Sequence, residues 1–357
     1  MNLTWYDDPK TDDSPIISAR VRLARNIKKY PFRSKLTNDQ ATEMISEANN
    51  ALFAGAKKWL HKFSMISHDF RGNINNATFA EKHIISREFM KDNLPRGLIL
   101  QDDGNLSIML NEEDHIRIQS VSPADNINAS WQIANNMDNL LEEKLEFAFD
   151  KDYGYLTACP TNVGTGMRAS FMVHLPLLVK TGQLKNMLSA ISKFGIAIRG
   201  IYGEGSESMG GIFQISNQVT LGKSEQDIIH GLQSVTKNVI DKELWLRSKM
   251  KEKHELDISN NIHRAYGILR YSRKISLKEA MDMLSELRLG YSMGILDLPK
   301  PKLTIYRIMT EVHPGHILQM FDPKLTELEQ DEARAEYLRY LFGEEQAEEE
   351  FDEDFET

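Results

Sequence analysis

The chain has 357 residues, of which 41% are hydrophobic, 27% are charged and one, Cys159, is cysteine. That balance excludes a disordered chain, a disulfide-stapled scaffold and a four-cysteine zinc module, and at roughly 150 residues per domain it predicts about two domains. The net charge of −9 is local: Gly343–Thr357 holds nine acids and no base, which leaves 43 acidic residues against 43 basic ones elsewhere.

A body so balanced carries no field to attract nucleic acid, and no direct nucleic-acid partner is expected. The acidic tail is expected to stay solvated, with no chemistry assigned to it. Met1–Lys10 has neither a basic flank nor an apolar run, and nowhere do about 18 apolar residues run uninterrupted. No membrane span and a soluble, cytoplasmic protein are expected.

Taken in chain order, Leu106, Ile108 and Leu110, then Ile116, Ile118 and Val121, alternate as two strands around the polar turn Asn111–His115. A helix is expected from about Ser130 to Phe147, then a strand at Tyr155–Cys159 that ends at Pro160, then a loop opened by Gly164 and Gly166. The pattern continues as strand (Ala169–Leu175), helix (Leu184–Phe194), strand (Ile196–Ile201), glycine-rich loop (Gly203–Gly211) and strand (Ile212–Val219). Ser224 with Asp227 makes a helix-start pair for a long helix reaching about Met250. Beyond Asp257 the texture becomes helical, including Ser276-Leu277-Lys278-Glu279 ahead of Met281, Leu284 and Leu287. The expected organisation is therefore residues 1–250, a helical domain at 251–342 and the tail 343–357, with the seam in the charged stretch Arg247–His254.

The chemistry-bearing residues are arginines and acids. The only Gly-Lys-Ser, Gly222–Ser224, has Asn217 where a phosphate-binding P-loop needs its first glycine, and no His-Arg-Asp triplet occurs. Arg20, Arg22 and Arg25, then Arg117, Arg168 and Arg199, stand instead beside turns and strand ends. In a strand, Arg20 and Arg22 share a face, which suits either a grip on one polyanion or a salt-bridged edge. Glu112, Glu113 and Asp114 in succession repel one another unless they hold a cation or a guanidinium; the alternative is a solvated turn. Met172, Met187 and Met209 are read as packing residues. His313 and His316 have the look of a metal pair, but a capped helix turn is the expected reading.

Asn111-Glu112-Glu113-Asp114-His115-Ile116-Arg117, followed by Cys159-Pro160-Thr161-Asn162-Val163-Gly164-Thr165-Gly166-Met167-Arg168-Ala169-Ser170, with Ser18–Arg25 upstream, resembles the guanidino (phosphagen) kinases. The likeness spans about residues 15 to 250 in the right order. It implies an α+β fold, an antiparallel sheet flanked by helices and followed by an all-helical C-terminal domain, and transfer of the terminal phosphoryl of Mg·ATP to a guanidinium nitrogen. ATP and Mg²⁺ are the implied cofactors, with no protein side chain assigned to the metal.

Creatine and arginine kinases carry a helical domain ahead of the Ser-x-Arg-x-Arg segment, which here starts at Ser18, and this chain extends after the catalytic region instead. That layout, with Ile201-Tyr202-Gly203-Glu204-Gly205 and Ile212–Asn217, resembles the bacterial protein-arginine kinases of the family. Two other readings stay open: a kinase of free arginine or another small guanidino metabolite, and a non-catalytic adaptor that binds phosphoarginine or a repressor.

By the same resemblance, Ser18, Ala19, Arg20, Val21, Arg22, His83, Arg117, Arg168, Ala169, Ser170, Phe171, Met172, Arg199, Gly200, Ile201, Tyr202, Gly203 and Glu204 form the ATP site. Glu113 and Glu204 hold the acceptor guanidinium, and Cys159 lies beside it as a third catalytic residue. An allosteric phosphoarginine motif would fall on Gln330-Asp331-Glu332-Ala333-Arg334-Ala335, where Gln330 replaces an expected arginine and predicts weakened activation. Implied partners are proteins with accessible arginine, a heat-shock repressor, a zinc-containing activator protein, a Clp-type protease and a second copy of the chain.

Overall fold

The computed structural model describes residues 4–53, 62–66, 74–91, 94–201 and 208–343. Alternation lets a strand bury one face and leave the other for chemistry. In β1 (Ile16–Arg25), Ile17, Ala19, Val21 and Leu23 are fully buried, while Arg20 and Arg22 on the alternate face are only partly so. Two single turns, α1 (Thr4–Asp7) and α2 (Lys10–Asp13), precede it; α3 (Asn38–Phe53), β2 (Phe63–Ile66), α4 (Ile74–Glu81), β3 (Gly97–Gln101), β4 (Leu106–Leu110) and β5 (Ile116–Pro123) follow. After α5 (Ile127–Glu142) come the two-residue strands β6 (Phe149–Asp150) and β7 (Gly154–Tyr155), then β8 (Met167–His174), α6 (Pro176–Lys180), α7 (Gln183–Ser192), β9 (Ile196–Gly200) and β10 (Ile212–Asn217). The remainder is helical: α8 (Glu225–Tyr271), α9 (Leu277–Ser292), α10 (Ile305–Glu311), α11 (Pro314–Met320) and α12 (Glu327–Phe342).

Among the described residues, eight strands form one antiparallel sheet in the order β2-β3-β4-β5-β1-β8-β10-β9. The first strand of the chain thus lies in the middle, between partners about a hundred residues or more away in sequence. Helices α5 and α8 pack on the sheet, and the buried apolar residues of the sheet region and of the C-terminal helices belong to one continuous core.

The long helix starts where the sequence predicts. Asp227 N–H donates to Ser224 Oγ at 3.1 Å and Ser224 N–H donates to Asp227 Oδ2 at 3.3 Å, which satisfies amides at the helix start. It kinks a few residues beyond the expected end near Met250. The charged stretch continues the helix through pairs one turn apart, Glu243 with Arg247 at 3.0 Å and Lys249 with Glu252 at 2.7 Å. Helical geometry breaks at His254 (φ −137°, ψ 32°), where the chain kinks, and a second helical stretch runs on to Tyr271. The expected strand Tyr155–Cys159 is also corrected: only Gly154–Tyr155 pairs, with Phe149–Asp150. From Thr157 onward, side chains and Pro160 take over. Thr157 Oγ1 donates to Cys159 O (2.8 Å), Ala158 N–H donates to Asp114 Oδ1 (2.7 Å), and the proline opens a 3₁₀ turn over Pro160–Asn162.

Arg25 belongs to the scaffold. Its odd position in β1 turns it to the face opposite Arg20 and Arg22. There its guanidinium is fully buried, pairs with Asp138 at 2.6 Å, donates to Thr165 O at 3.0 Å and stacks over Tyr155, 3.5 Å from the ring centre. Asp138→Ala is expected to cost about 3–5 kcal/mol, because it strands a buried charge rather than removing a surface pair. The shift in the denaturant midpoint measures this, and a loss below about 1 kcal/mol, the level of a surface pair, would contradict it.

Candidate active site

Register assembles the polar face. Residues opposite each other in neighbouring strands project to the same side. Across β1 and β8, Arg22 stands beside Arg168, Arg20 beside Ser170 and Ser18 beside Met172. Across β8 and β10, Met172 faces Gln214 and Ser170 faces Ser216; Arg199 of β9 faces Gln214, and Arg117 of β5 faces Ala24. The intervening residues Ala19, Val21, Ala169 and Phe171 are buried on the other side of the sheet. Their side chains therefore do not reach this face, which leaves their main chain as the part that can meet a ligand there.

Two neighbouring cavities open on the polar face. The larger, about 320 Å³, is lined by Arg22, Arg117, Arg168 and Arg199 together with Glu113, Cys159, Thr161, Asn162, Gly166 and Ser216. The smaller is lined by Trp5, Ser18, Arg20, His83, Ser170 and Met172, and Gln214 borders both. Gly200 ends β9 and Ile201 follows it, and neither lines a cavity. Tyr202, Gly203 and Glu204 lie outside the described residues.

Four guanidinium groups in one cavity repel one another. Burial and the charges of Arg20, Arg117 and Arg168 drive Arg22 well below its ordinary value, and burial with Arg199 lowers Arg168. Guanidinium does not release its proton in proteins, so this cost stands as a standing demand for anionic charge. Arg22 Nε is buried with no acceptor among the described residues. For Arg22 the polyanion reading thus fits better than a salt-bridged edge. Arg20 Nη2 donates to Gln214 Oε1 at 2.8 Å and Arg199 Nη2 donates to Gln218 Oε1 at 3.3 Å, and both of these acceptors are neutral amides.

The turn of three acids is not solvated as a block: Arg117 bridges Glu112 and Glu113, and Asp114 has donors of its own. Asn111 takes a left-handed conformation (φ 61°), and its N–H donates to His115 O. Glu112 is buried, accepts from Ser86 Oγ at 2.6 Å and pairs with Arg117 Nη1 at 2.7 Å. Asp114, also buried, accepts at 2.7 Å from both Asn26 Nδ2 and Ala158 N–H, so it ties the turn to the Cys159 loop. His115 Nδ1 accepts from Ile27 N–H at 3.0 Å, which assigns its proton to Nε2, a donor to Pro31 O at 3.0 Å. That leaves Glu113, half-exposed and 3.4 Å from Arg117 Nη2, as the acid that lines the cavity. Burial raises its pKa against the lowering influence of Arg117.

Cys159 Sγ lies 3.0 Å from Thr161 Oγ1 on the cavity wall. Gly166, at φ +63°, lets the loop close under it: a Cβ there would sit 2.5 Å from Arg25 Nη1 and 2.6 Å from Ala24 O. His83 is left-handed too (φ 59°), and burial followed by Arg20 pushes its imidazole down to about 3, so it is neutral near pH 7. Met172 is more than packing, because it lines the small cavity while its sulfur accepts from Tyr306 Oη at 2.7 Å.

Gln214, Ser216, Thr161 and Asn162 were given no site role from the sequence, and Glu112 was read only as one of three adjacent acids. For Gln214 and Ser216 the signal was available as the alternation within Ile212–Asn217; nothing in the order of the residues distinguishes the roles of Glu112 and Glu113.

Elsewhere, His313 starts α11, and Gly315 and His316 N–H donate to Glu81, so the histidine pair belongs to a helix start. Among the described residues, no three His, Cys, Asp or Glu side chains gather as a metal site. Arg334 is not an exposed helical residue. It is buried, donating to Val312 O at 2.7 Å and Ile275 O at 3.0 Å and pairing with Asp331 at 2.5 Å. Around it, Gln330 Nε2 donates to Leu325 O, Ala333 and Ala335 are buried, and Glu332 is exposed.

The chain matches two described families: ATP:guanido phosphotransferase, C-terminal catalytic domain, over residues 43–245, and protein-arginine kinase McsB C-terminal domain, over residues 255–353. It is 41% identical to a protein-arginine kinase of Caldanaerobacter subterraneus, covering 92% of this chain and 96% of that one. It is 42% identical to one from Halothermothrix orenii, covering 94% and 95%. Among solved structures, lombricine kinase superposes with a TM-score of 0.58 at 25% identity, covering 66% of this chain and 67% of that one. The duplicated taurocyamine kinase of Schistosoma mansoni gives 0.59 at 22%, covering 88% of this chain and 40% of that one.

A polyanion that relieves the arginine repulsion stabilises the fold by mass action. Tripolyphosphate is expected to raise Tm by several degrees, less so at high salt, with most of the gain lost in Arg22→Met. An equal shift in that variant would contradict the reading.

Proposed function

The chain belongs to the ATP:guanido phosphotransferase family, among its protein-arginine kinases, and we propose that it transfers the terminal phosphoryl group of Mg·ATP to arginine side chains of proteins. The observation that carries this is the convergence of Arg22, Arg117, Arg168 and Arg199 with Glu113 on one open cavity. Magnesium arrives as part of the nucleotide complex; no protein side chain is assigned to it, and among the described residues no carboxylate cluster gathers as a metal site.

The arginines neutralise the phosphates and hold the γ-phosphoryl in line, and positioning of that kind supplies most of phosphoryl-transfer catalysis. A free guanidinium is a protonated, poor nucleophile. Glu113 orients the incoming group through its planar fork and accepts its proton as the nitrogen–phosphorus bond forms and the bond to the β-phosphate oxygen breaks, releasing ADP. Arg117, which pairs with Glu113, releases it to the substrate guanidinium while keeping its pair with Glu112. Glu204 is the second carboxylate of the acceptor site, and Cys159 tunes its electrostatics.

In this reading the physiological setting is a cytoplasmic stress response. A heat-shock repressor and a Clp-type protease receive the mark, a zinc-containing protein activates the enzyme, and copies of the chain assemble. Residues 251–342 act as a regulatory and interaction domain beginning near the lapse at His254.

Incubation with Mg·ATP and an arginine-containing protein is expected to yield phosphorylated protein whose label is lost in mild acid, as a P–N bond requires. Label that survives acid, or transfer to free arginine alone, would contradict the proposal. Glu113→Gln is expected to lower kcat by several orders of magnitude with little change in ATP affinity. Because Glu113 is raised, its proton-accepting form is lost at a higher pH than that of an ordinary carboxylate near about 4.3. The acid limb of kcat should therefore lie above that value and vanish with the residue; a limb that persists in the variant assigns the proton to another group.

A further inference from the structure

The polar face is not made by the sheet alone. The His83 turn reaches the small cavity from the end of α4, and its left-handed conformation at a non-glycine residue persists only where its surroundings fix it. Gln119 Nε2 holds the turn from the sheet by donating to His83 O at 2.7 Å. From the other side it is held by Glu81, two residues before His83. That carboxylate, largely buried, accepts from Gly315 N–H at 2.7 Å, His316 N–H at 3.0 Å and His316 Nδ1 at 2.6 Å, all at the start of α11. Gly315 is what permits the approach, since a Cβ there would stand 2.8 Å from both carboxylate oxygens. One turn earlier along the chain, Val312 O accepts from the buried Arg334 of α12, so the two C-terminal helices and the His83 turn form one connected unit.

We propose that Glu81 is a positioning residue for the nucleotide: by clamping α11 it sets the place of His83, and the C-terminal helices thereby set nucleotide affinity. This rests on the nucleotide reading of the two cavities. Glu81 lines neither cavity, so its effect passes through His83 and the neighbouring Arg20. The consequence is selective. A displaced His83 turn weakens nucleotide binding in ground state and transition state alike, which raises the KM for ATP and spares kcat.

The test is titration of the full chain with Mg·ADP by calorimetry, with kcat at saturating ATP measured beside it. Glu81→Ala is expected to weaken Mg·ADP about tenfold while kcat stays within about twofold. His316→Ala, which keeps the two main-chain bonds, is expected to weaken it about threefold, and the double variant to be no weaker than Glu81→Ala, because both substitutions remove one contact. Glu243→Gln is the control. Glu243 is a fully buried acid that accepts from Leu177 N–H and Leu178 N–H and pairs with Arg247, and it lines neither cavity. It should lower Tm and leave affinity unchanged. Unaltered affinity in Glu81→Ala, additive losses in the double variant, or an equal loss in the Glu243 control would each overturn the proposal. Should Glu81→Ala not fold, the milder His316→Ala decides by the same measure. Failure of the unaltered protein to bind Mg·ADP would instead overturn the nucleotide reading beneath it.

Discussion

Repulsion among guanidinium groups is the constraint around which the polar face is organised. Arg22, Arg117, Arg168 and Arg199 line one cavity, and Arg20 stands beside it, donating to Gln214. A free chain would relax such a cluster by letting the side chains drift apart. Here the antiparallel register opposes that, since Arg22 and Arg168 are cross-strand neighbours whose main chains are fixed by the ladder. Apolar burial on the opposite face of the same strands, through Val21, Leu23, Ala169 and Phe171, provides the free energy that keeps like charges together.

The acids complete this arrangement by division of labour. Glu112 absorbs one edge of Arg117 inside the protein, Asp114 anchors the loop that carries Cys159, and Glu113 alone meets the solvent of the cavity. Three neighbouring carboxyl groups with one chemistry thus acquire three different jobs from burial and hydrogen bonding. The same logic separates Arg25 from Arg20 and Arg22: a shift of odd parity along β1 places it with Asp138 and Tyr155 in the scaffold.

Much of this was legible in the residue order. The alternation at Leu106–Leu110, Ile116–Val121 and Ala169–Leu175, the cap at Ser224 with Asp227, and the shared face of Arg20 and Arg22 follow from local periodicity, which strands and helix starts obey. What was not legible depends on long-range placement. Nothing in Tyr155–Cys159 announces that Asp114 will take the Ala158 amide and end the pairing. The charged stretch after Glu243 looks like a linker until its i,i+3 and i,i+4 partners are counted as helix support. Arg334, polar by type, is buried because carbonyl oxygens from two other elements meet its guanidinium. The roles of Tyr306 and Glu81 likewise lie in contacts across more than a hundred residues.

The central position of β1 has a kinetic corollary. β1 must wait for β5 and then β8, each about a hundred residues or more further along the chain, before either of its edges is paired, and the wall bearing Arg199 and Gln214 closes only after β10 has emerged. Contacts of such sequence separation form late and slowly. Until then the nascent chain holds its arginines apart in water, so phosphotransfer capacity arrives abruptly with the completed sheet, and a truncated product of translation is catalytically silent.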